Sequence, residues 1–177
     1  MTRCRSPRST PRPAVFFDRD GVLNIDVNYL YKIEDFCWIP GAKKTIKYYN
    51  EKGFYVFVVT NQSGVARGYY SEDDVHKLHQ WMQDDLAAIG AHIDAFYHCP
   101  HHNEGKIEQY KKNCDCRKPK PGLILQACHN WSIDKDQSLL IGDKLSDLDA
   151  AQAAGIRGYL FEGGNLLDFI LSSQEIK

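Results

Sequence analysis

Polar residues that could do chemistry follow three apolar segments of strand length. Asp18-Arg19-Asp20-Gly21 follows the first, residues 60–64 follow the second, and Gly142-Asp143-Lys144 follows a third. Two carboxylates two positions apart repel each other unless a cation lies between them. Taken alone, the first tetrapeptide is just as typical of a solvated turn, because Asp and Gly are common turn residues. A further acid, Asp143, again comes after an apolar strand and favours a site that binds a cation.

Cysteine and histidine form a second pattern. Cys99-Pro-His101 is followed, after twelve residues, by Cys114-Asp-Cys116. Three thiolates and one imidazole are the donor set of a closed, structural zinc site. The spacings are tighter than those of common zinc fingers, so the alternative to a metal site is chance clustering of reduced cysteines. Within a metal site, His102 is an alternative to His101 as the imidazole ligand. We predict a structural Zn²⁺ held by Cys99, His101, Cys114 and Cys116, in a loop over about residues 99–116.

The remaining thiols and imidazoles show no ligand spacing. Cys37 and Cys128 lie near apolar residues in the sequence, and we predict them to be core thiols, since free cysteine is usually buried. We predict surface or helix-face positions for three histidines: His76, His79 and His92.

The elements that must position these residues alternate along the chain. Apolar runs predict strands over residues 14–17, 54–59, 93–97, 138–141 and 158–161, and helices are predicted over residues 41–52, 71–89, 121–130 and 145–154. This alternation predicts an α/β fold, a Rossmann-like parallel sheet with helices on both faces. Ligands of such sheets bind at the carboxyl ends of the strands, where the polar residues described above lie.

Composition limits the class of protein. The chain has 177 residues, 43% of them hydrophobic, and a formal net charge of −1, which indicates one globular domain over residues 14–177 after a disordered basic tail over residues 1–13. A near-neutral chain without an apolar run of membrane length is not expected to coat nucleic acid or to span a membrane. Six cysteines without a secretory signal favour thiols in a reducing compartment, and we expect a cytoplasmic monomer.

Four of these motifs together resemble those of the haloacid-dehalogenase (HAD) superfamily of phosphatases. They are Asp18-x-Asp20-Gly21, Thr60-Asn61, Lys118 and Gly142-Asp143-Lys144-x-x-Asp147, in the same order and at the same strand ends. The resemblance implies that Asp18 attacks phosphorus and that Asp20 is the general acid and base. It also implies that Thr60 and Lys118 bind the phosphoryl group. It implies that Mg²⁺ is held by the carboxylates of Asp18 and Asp143 and by the backbone carbonyl of Asp20.

The cysteine-rich loop narrows the resemblance to an essentially capless branch of that superfamily. Cys-Pro-His-His and Cys-Asp-Cys-Arg-Lys-Pro-x-Pro-Gly resemble a branch that contains heptose bisphosphate phosphatases and histidinol-phosphate phosphatases. The resemblance implies that the following residues bind substrate: Asp26, Asn61, Gln62, Ser63, Arg117 and Lys144. It implies that Asp147 orients Lys118 or a metal-bound water.

Three functions remain open at this point. The first is removal of the C7 phosphate from a heptose 1,7-bisphosphate, and Arg117 favours it because guanidinium binds a second phosphate well. The second is hydrolysis of histidinol phosphate. The third is a catalytically dead, zinc-organised interaction module, which the presence of every motif residue disfavours.

Overall fold

Short apolar strands alternate with helices through most of the chain, and the computed structural model describes residues 10–174. The strands are β1 (Arg12–Phe17), β2 (Tyr55–Asn61), β3 (Ala95–Cys99), β4 (Ile133–Gly142) and β5 (Arg157–Leu160). The helices are α1 (Ala42–Glu51), α2 (Gly64–Arg67), α3 (Glu72–Ala87), α4 (Gly122–Asn130), α5 (Leu145–Ala154) and α6 (Leu166–Gln174). Two short 3₁₀ helices cover Ile33–Asp35 and Glu108–Tyr110.

All five strands pair in one parallel sheet. Their order is β3-β2-β1-β4-β5, so β1 lies in the centre between β2 and β4. Phe17, the last residue of β1, is in register with Val58 of β2 and with Ile141 of β4. The carboxyl ends of these three strands therefore lie side by side, and the residues that follow them share one edge of the sheet.

The sheet has an apolar core on each face. Val15 and Phe17 pack on the face covered by α1, α3 and α6. Ala14 and Phe16 pack on the opposite face, which α4 and α5 cover. Burial on both faces explains why β1 and β2 are continuous apolar runs without polar alternation. The prediction of helices on both faces of a parallel sheet is confirmed.

The ends of several elements differ from the sequence prediction. Strand β1 begins at Arg12, inside the segment predicted to be a disordered tail, because its backbone N–H donates to the Ser132 carbonyl and Arg12 pairs with Ile133. Residues 1–9 of that predicted tail lie outside the described residues. Helices α2 and α6 were not predicted. Within residues 10–174, no helix is both long enough and apolar enough to cross a membrane.

The solvent exposure of two side chains differs from the sequence prediction. Cys37 is exposed, because it stands between two inward-facing aromatic residues, Phe36 and Trp38, that pack against the core in an extended segment. The prediction of a core thiol is therefore wrong for Cys37. His79 is only 4% exposed, although a surface or helix-face position was predicted. Its ring stacks on Phe96, with 4.4 Å between ring centroids.

Helix α3 starts at the predicted cap. The Ser71 hydroxyl accepts a hydrogen bond from the Asp74 backbone N–H (3.2 Å), and the Asp74 carboxylate accepts one from the Ser71 backbone N–H (2.9 Å). This reciprocal pair satisfies two donors at the first turn of the helix. It holds the end of α3 from which Glu72 reaches the cysteine-rich loop.

Candidate active site

A buried lysine lies between two carboxylates at the carboxyl edge of the sheet. Lys118 Nζ is 2.9 Å from Asp18 Oδ1 and 2.6 Å from Asp147 Oδ1, and it donates to the Val59 carbonyl at 2.8 Å. Burial raises the pKa of Asp18 to about 7, against the opposing effect of Lys118. Burial alone would lower the pKa of Lys118, but the two carboxylates raise it above its usual value. Lys118 is therefore held as a cation beside the Asp18 carboxyl group.

Asp20 is held differently, by three neighbouring donors. The Arg19 guanidinium donates to both of its oxygens, Asn24 Nδ2 donates to Oδ1 at 3.0 Å, and Gln62 Nε2 donates to Oδ2 at 3.0 Å. Burial tends to raise the pKa of Asp20, but Arg19 and these hydrogen bonds hold the pKa below its usual range. Two carboxyl groups two residues apart thus have environments that shift their pKa values in opposite directions, an arrangement typical of acid–base sites.

Asp143 completes an oxygen cluster that fits a cation. Asp18, Asp143 and Asp147 each place one carboxylate oxygen within 4.8 Å of the others. Oδ1 of Asp143 is buried and has no hydrogen-bond partner among the described residues. Gly21 lies against this carboxylate with φ +89°, and a Cβ there would overlap the Asp143 side chain. Mg²⁺ prefers oxygen ligands, so the Asp143 oxygen that lacks a donor, next to the Asp18 carboxylate, fits a hard divalent cation.

The amide and hydroxyl residues that follow β2 hold each other in place beside these acids. Thr60 is buried, and its hydroxyl accepts from Gln62 Nε2 at 2.9 Å. Asn61 braces the backbone of Lys118, because Oδ1 accepts from the Lys118 N–H at 3.1 Å and Nδ2 donates to the Lys118 carbonyl at 3.2 Å. The sequence did not indicate that Asn61 supports Lys118.

One open pocket, of about 520 Å³, lies above this cluster. It is lined by all six residues predicted to bind substrate: Asp26, Asn61, Gln62, Ser63, Arg117 and Lys144. A smaller, deeper pocket of about 60 Å³ lies against Asp18, Asp20, Thr60 and Lys118. The side chains predicted to do the chemistry and those predicted to bind substrate are thus brought together at one edge of the sheet.

The four predicted zinc ligands also converge. The Sγ atoms of Cys99, Cys114 and Cys116 lie 3.1–3.4 Å apart, and His101 Nδ1 is 3.4 Å from the Cys116 sulfur. Hydrogen bonding with Cys99, and to a smaller extent with Cys114, lowers the pKa of Cys116 to about 5. Three sulfur atoms and one imidazole nitrogen fit the donor set of a closed zinc site. His102 lies elsewhere, with its Nε2 3.3 Å from Arg67, so His101 is the imidazole of this cluster.

The same loop delivers the cationic side chains. Arg117 follows Cys116 directly, and its Nη1 donates to the His101 carbonyl at 3.5 Å. Residues 106 and 107 both donate their backbone N–H to the Ala66 carbonyl, and the Tyr110 hydroxyl donates to Glu72 at 2.8 Å. The loop is thereby tied to α2 and α3 as well as to the cysteine cluster.

Comparisons with known proteins agree with this geometry. Residues 115–168 match the HAD-hydrolase-like family model. A D-glycero-beta-D-manno-heptose-1,7-bisphosphate 7-phosphatase of Rhodopseudomonas palustris is 50% identical over 90% of this chain and 88% of its own. One of Haemophilus influenzae is 43% identical over 90% of this chain and 91% of its own.

Solved structures give the same result. The D,D-heptose 1,7-bisphosphate phosphatase of B. bronchiseptica, complexed with magnesium and phosphate, superposes with a TM-score of 0.77. It is 31% identical, and the match covers 90% of this chain and 86% of that one. With the buried Asp18–Lys118 pair, the Asp20 carboxylate beside it and the cysteine-rich loop in place, this chain belongs to the heptose-1,7-bisphosphate 7-phosphatase family of HAD-like hydrolases.

Proposed function

We propose that this protein hydrolyses the C7 phosphate of D-glycero-D-manno-heptose 1,7-bisphosphate through a covalent aspartyl-phosphate. The observation that carries the proposal is the buried Asp18 carboxyl group, 2.9 Å from Lys118. It lines a small pocket that shares Lys118 and Lys144 with the larger pocket lined by Arg117. One phosphate would lie over Asp18, and the other cations suit a second phosphate on the same substrate. The relatives' names support the sugar.

The first step is transfer of the phosphoryl group to the enzyme. An Asp18 carboxylate oxygen bonds to phosphorus as the bond between phosphorus and the C7 oxygen breaks. The negative charge of the bound phosphate favours the protonated form of Asp20 beside it, against the effect of Arg19. Asp20 then gives that proton to the C7 oxygen, so that the sugar leaves as an alcohol. Lys118 balances the negative charge of Asp18 and of the phosphoryl oxygens, and the Thr60 hydroxyl, positioned by Gln62, donates to one of those oxygens.

The second step regenerates the enzyme. Asp20, now a carboxylate, takes a proton from a water molecule, and the water oxygen bonds to phosphorus as the bond to Asp18 breaks. Inorganic phosphate leaves, and Asp18 is free again. The three donors that hold Asp20 keep its carboxylate in place for both proton transfers.

Two metal ions complete the proposal. Asp18, Asp143 and the Asp20 backbone carbonyl would hold Mg²⁺, whose charge lets an anionic nucleophile approach a phosphate dianion. Cys99, His101, Cys114 and Cys116 would hold a structural Zn²⁺, which stiffens the loop that carries Arg117 and Lys118. The free cysteines of the described chain favour a reducing compartment, and we place the reaction in the cytoplasm.

Steady-state kinetics with two substrates tests the proposal. We expect a higher kcat/KM for the heptose bisphosphate, in either anomer, than for histidinol phosphate, because histidinol phosphate has no second phosphate for Arg117. Phosphorus NMR of the product should retain the anomeric phosphate signal and lose that of C7. A higher kcat/KM for histidinol phosphate would refute the assignment.

A matched pair of variants tests the nucleophile. Asp18→Asn should abolish turnover while the folded state and zinc content persist, and Asp149→Asn should be fully active, because Asp149 is exposed on α5. Turnover by Asp18→Asn would exclude Asp18 as the nucleophile.

A further inference from the structure

Arg19 is a charged side chain with no exposed surface, between the two acids of the first motif. It is the largest fully buried side chain among the described residues. Burying a charge is costly unless it is paired and hydrogen-bonded. Because Arg19 is completely covered, it cannot touch a substrate in the pocket. Its function must be exerted through its neighbours.

The guanidinium holds Asp20. Its Nη2 is 3.0 Å from each oxygen of the Asp20 carboxylate, and its Nε is 3.2 Å from Oδ1. The same Nη2 donates to the Leu30 carbonyl at 3.0 Å and to Gln62 Oε1 at 3.3 Å. A planar group with several fixed donors restrains both oxygens of its partner, which a flexible ammonium group cannot do. Arg19 therefore fixes the rotation of the Asp20 carboxylate as well as its place.

The other side of the guanidinium contacts His79. Arg19 Nη1 lies 3.4 Å from His79 Nε2, on a ring that stacks against Phe96. A cation at this nitrogen requires a neutral imidazole that accepts the hydrogen bond. His79 comes from the middle of α3, sixty residues from Arg19 in sequence, so this helix braces the guanidinium from behind.

We propose that Arg19 and His79 are positioning residues for the proton transfers of Asp20. His79 orients Arg19, and Arg19 orients the carboxylate that protonates the leaving group. This inference rests on the proposed function, in which Asp20 is the general acid. It assigns no contact with substrate to either residue.

The test compares two leaving groups. A sugar alkoxide needs a proton to leave, whereas the p-nitrophenolate of p-nitrophenyl phosphate does not. General acid catalysis contributes about 10²–10⁴-fold. We expect Arg19→Met to lower kcat/KM for the sugar phosphate by about 100-fold and for the aryl phosphate by less than about 5-fold. Arg157→Met, an exposed position on β5, is the control for loss of an arginine.

Variants of His79 test its contact with Arg19. They also allow the proposal to be tested if Arg19→Met does not fold. His79→Leu removes the acceptor, and we expect about a 10-fold loss on the sugar phosphate with little loss on the aryl phosphate. His79→Gln keeps an oxygen acceptor and should restore most of the activity. In an Asp20→Asn background, neither Arg19→Met nor His79→Leu should lower kcat/KM further.

Equal losses on both substrates, as a smaller fraction of active enzyme would give, would overturn the proposal. So would an additive loss in the Asp20→Asn background. If the wild-type enzyme does not hydrolyse heptose bisphosphate, the proposed function is refuted instead. The role of Arg19 would still be tested by comparing an alkyl phosphate that the enzyme does hydrolyse with the aryl phosphate.

Discussion

Replacing Lys118 with Met should destabilise the fold, beyond its effect on activity. Lys118 is 4% exposed and is the cation between the buried carboxylates of Asp18 and Asp147. Methionine has a similar length and no charge, so Lys118→Met leaves both acids without this partner. Lys120 is the matched control, because its ammonium pairs at 3.2 Å with an Asp115 carboxylate that is almost fully exposed.

The size of the loss follows from the contact distances. At 2.6 and 2.9 Å, each Lys118 pair has an attraction of about 6 kcal/mol at an effective dielectric constant of about 20. The cost of removing the three charges from water offsets much of that sum. Breaking a buried pair by removing one partner costs about 3–5 kcal/mol in measured cases, and we expect a loss in that range. Lys120→Met should lose less than about 1 kcal/mol, as exposed pairs do.

Urea unfolding of the wild type and both variants, without added magnesium, measures these free energies. The loss should also depend on pH. Without Lys118 the folded-state pKa of Asp18, already about 7, rises further above the unfolded value of 3.8. The folded variant then binds more protons than the unfolded chain, so its deficit should shrink as pH falls from 9 to 6. A loss below about 1 kcal/mol at pH 9, or equal losses for the two lysine variants, would refute this account of the site.

Three further predictions concern the loop, a buried imidazole and a helix cap. Cys116→Ser should purify without zinc and raise KM for the bisphosphate by about 10-fold or more, because zinc binding contributes about 10–16 kcal/mol to the folding of such loops. Full zinc content with an unchanged KM would contradict this prediction. Burial, and then Arg19, hold the pKa of His79 well below 6.5, so the wild type should lose stability as pH falls below about 6.5. His79→Gln should lose less in urea unfolding between pH 7.5 and 5, and an identical pH dependence would count against a buried neutral ring. Asp74→Ala should lower the free energy of unfolding by about 1 kcal/mol at unchanged kcat/KM, whereas Asp73→Ala, exposed in the same turn, should not.

The sheet could be predicted because its central strands are buried on both faces. Such strands are continuous apolar runs, and their ends are marked by the polar residues that follow, as Asp18 follows Phe17. Where a strand is partly exposed, its predicted ends differ more from those in the structure. Strand β3 was predicted over residues 93–97 and lies at Ala95–Cys99, and β4 begins five residues earlier than predicted, through a polar segment.

The parts of the site that could not be predicted depend on contacts between distant segments. His79 resembles any other polar residue of an amphipathic helix, and only the packing of α3 places it against Arg19. Asn61 and Lys118, 57 residues apart, are joined through backbone groups that no side-chain pattern reveals. The wrong prediction for Cys37 has the opposite cause. Its exposure is decided locally, because side chains in an extended segment alternate between the two sides, whereas the neighbouring apolar residues suggested burial.

The central place of β1 has a consequence for how the protein acquires activity. Its neighbours β2 and β4 come from far along the chain, and the hydrogen bond from Ala14 N–H to the Ser138 hydroxyl spans 124 residues. Contacts of such separation form late, since long loops must close first. During synthesis Asp18, the proposed nucleophile, is made about 100 residues before Lys118 and about 130 residues before Asp147. The proposed site is therefore incomplete until most of the described chain has been made.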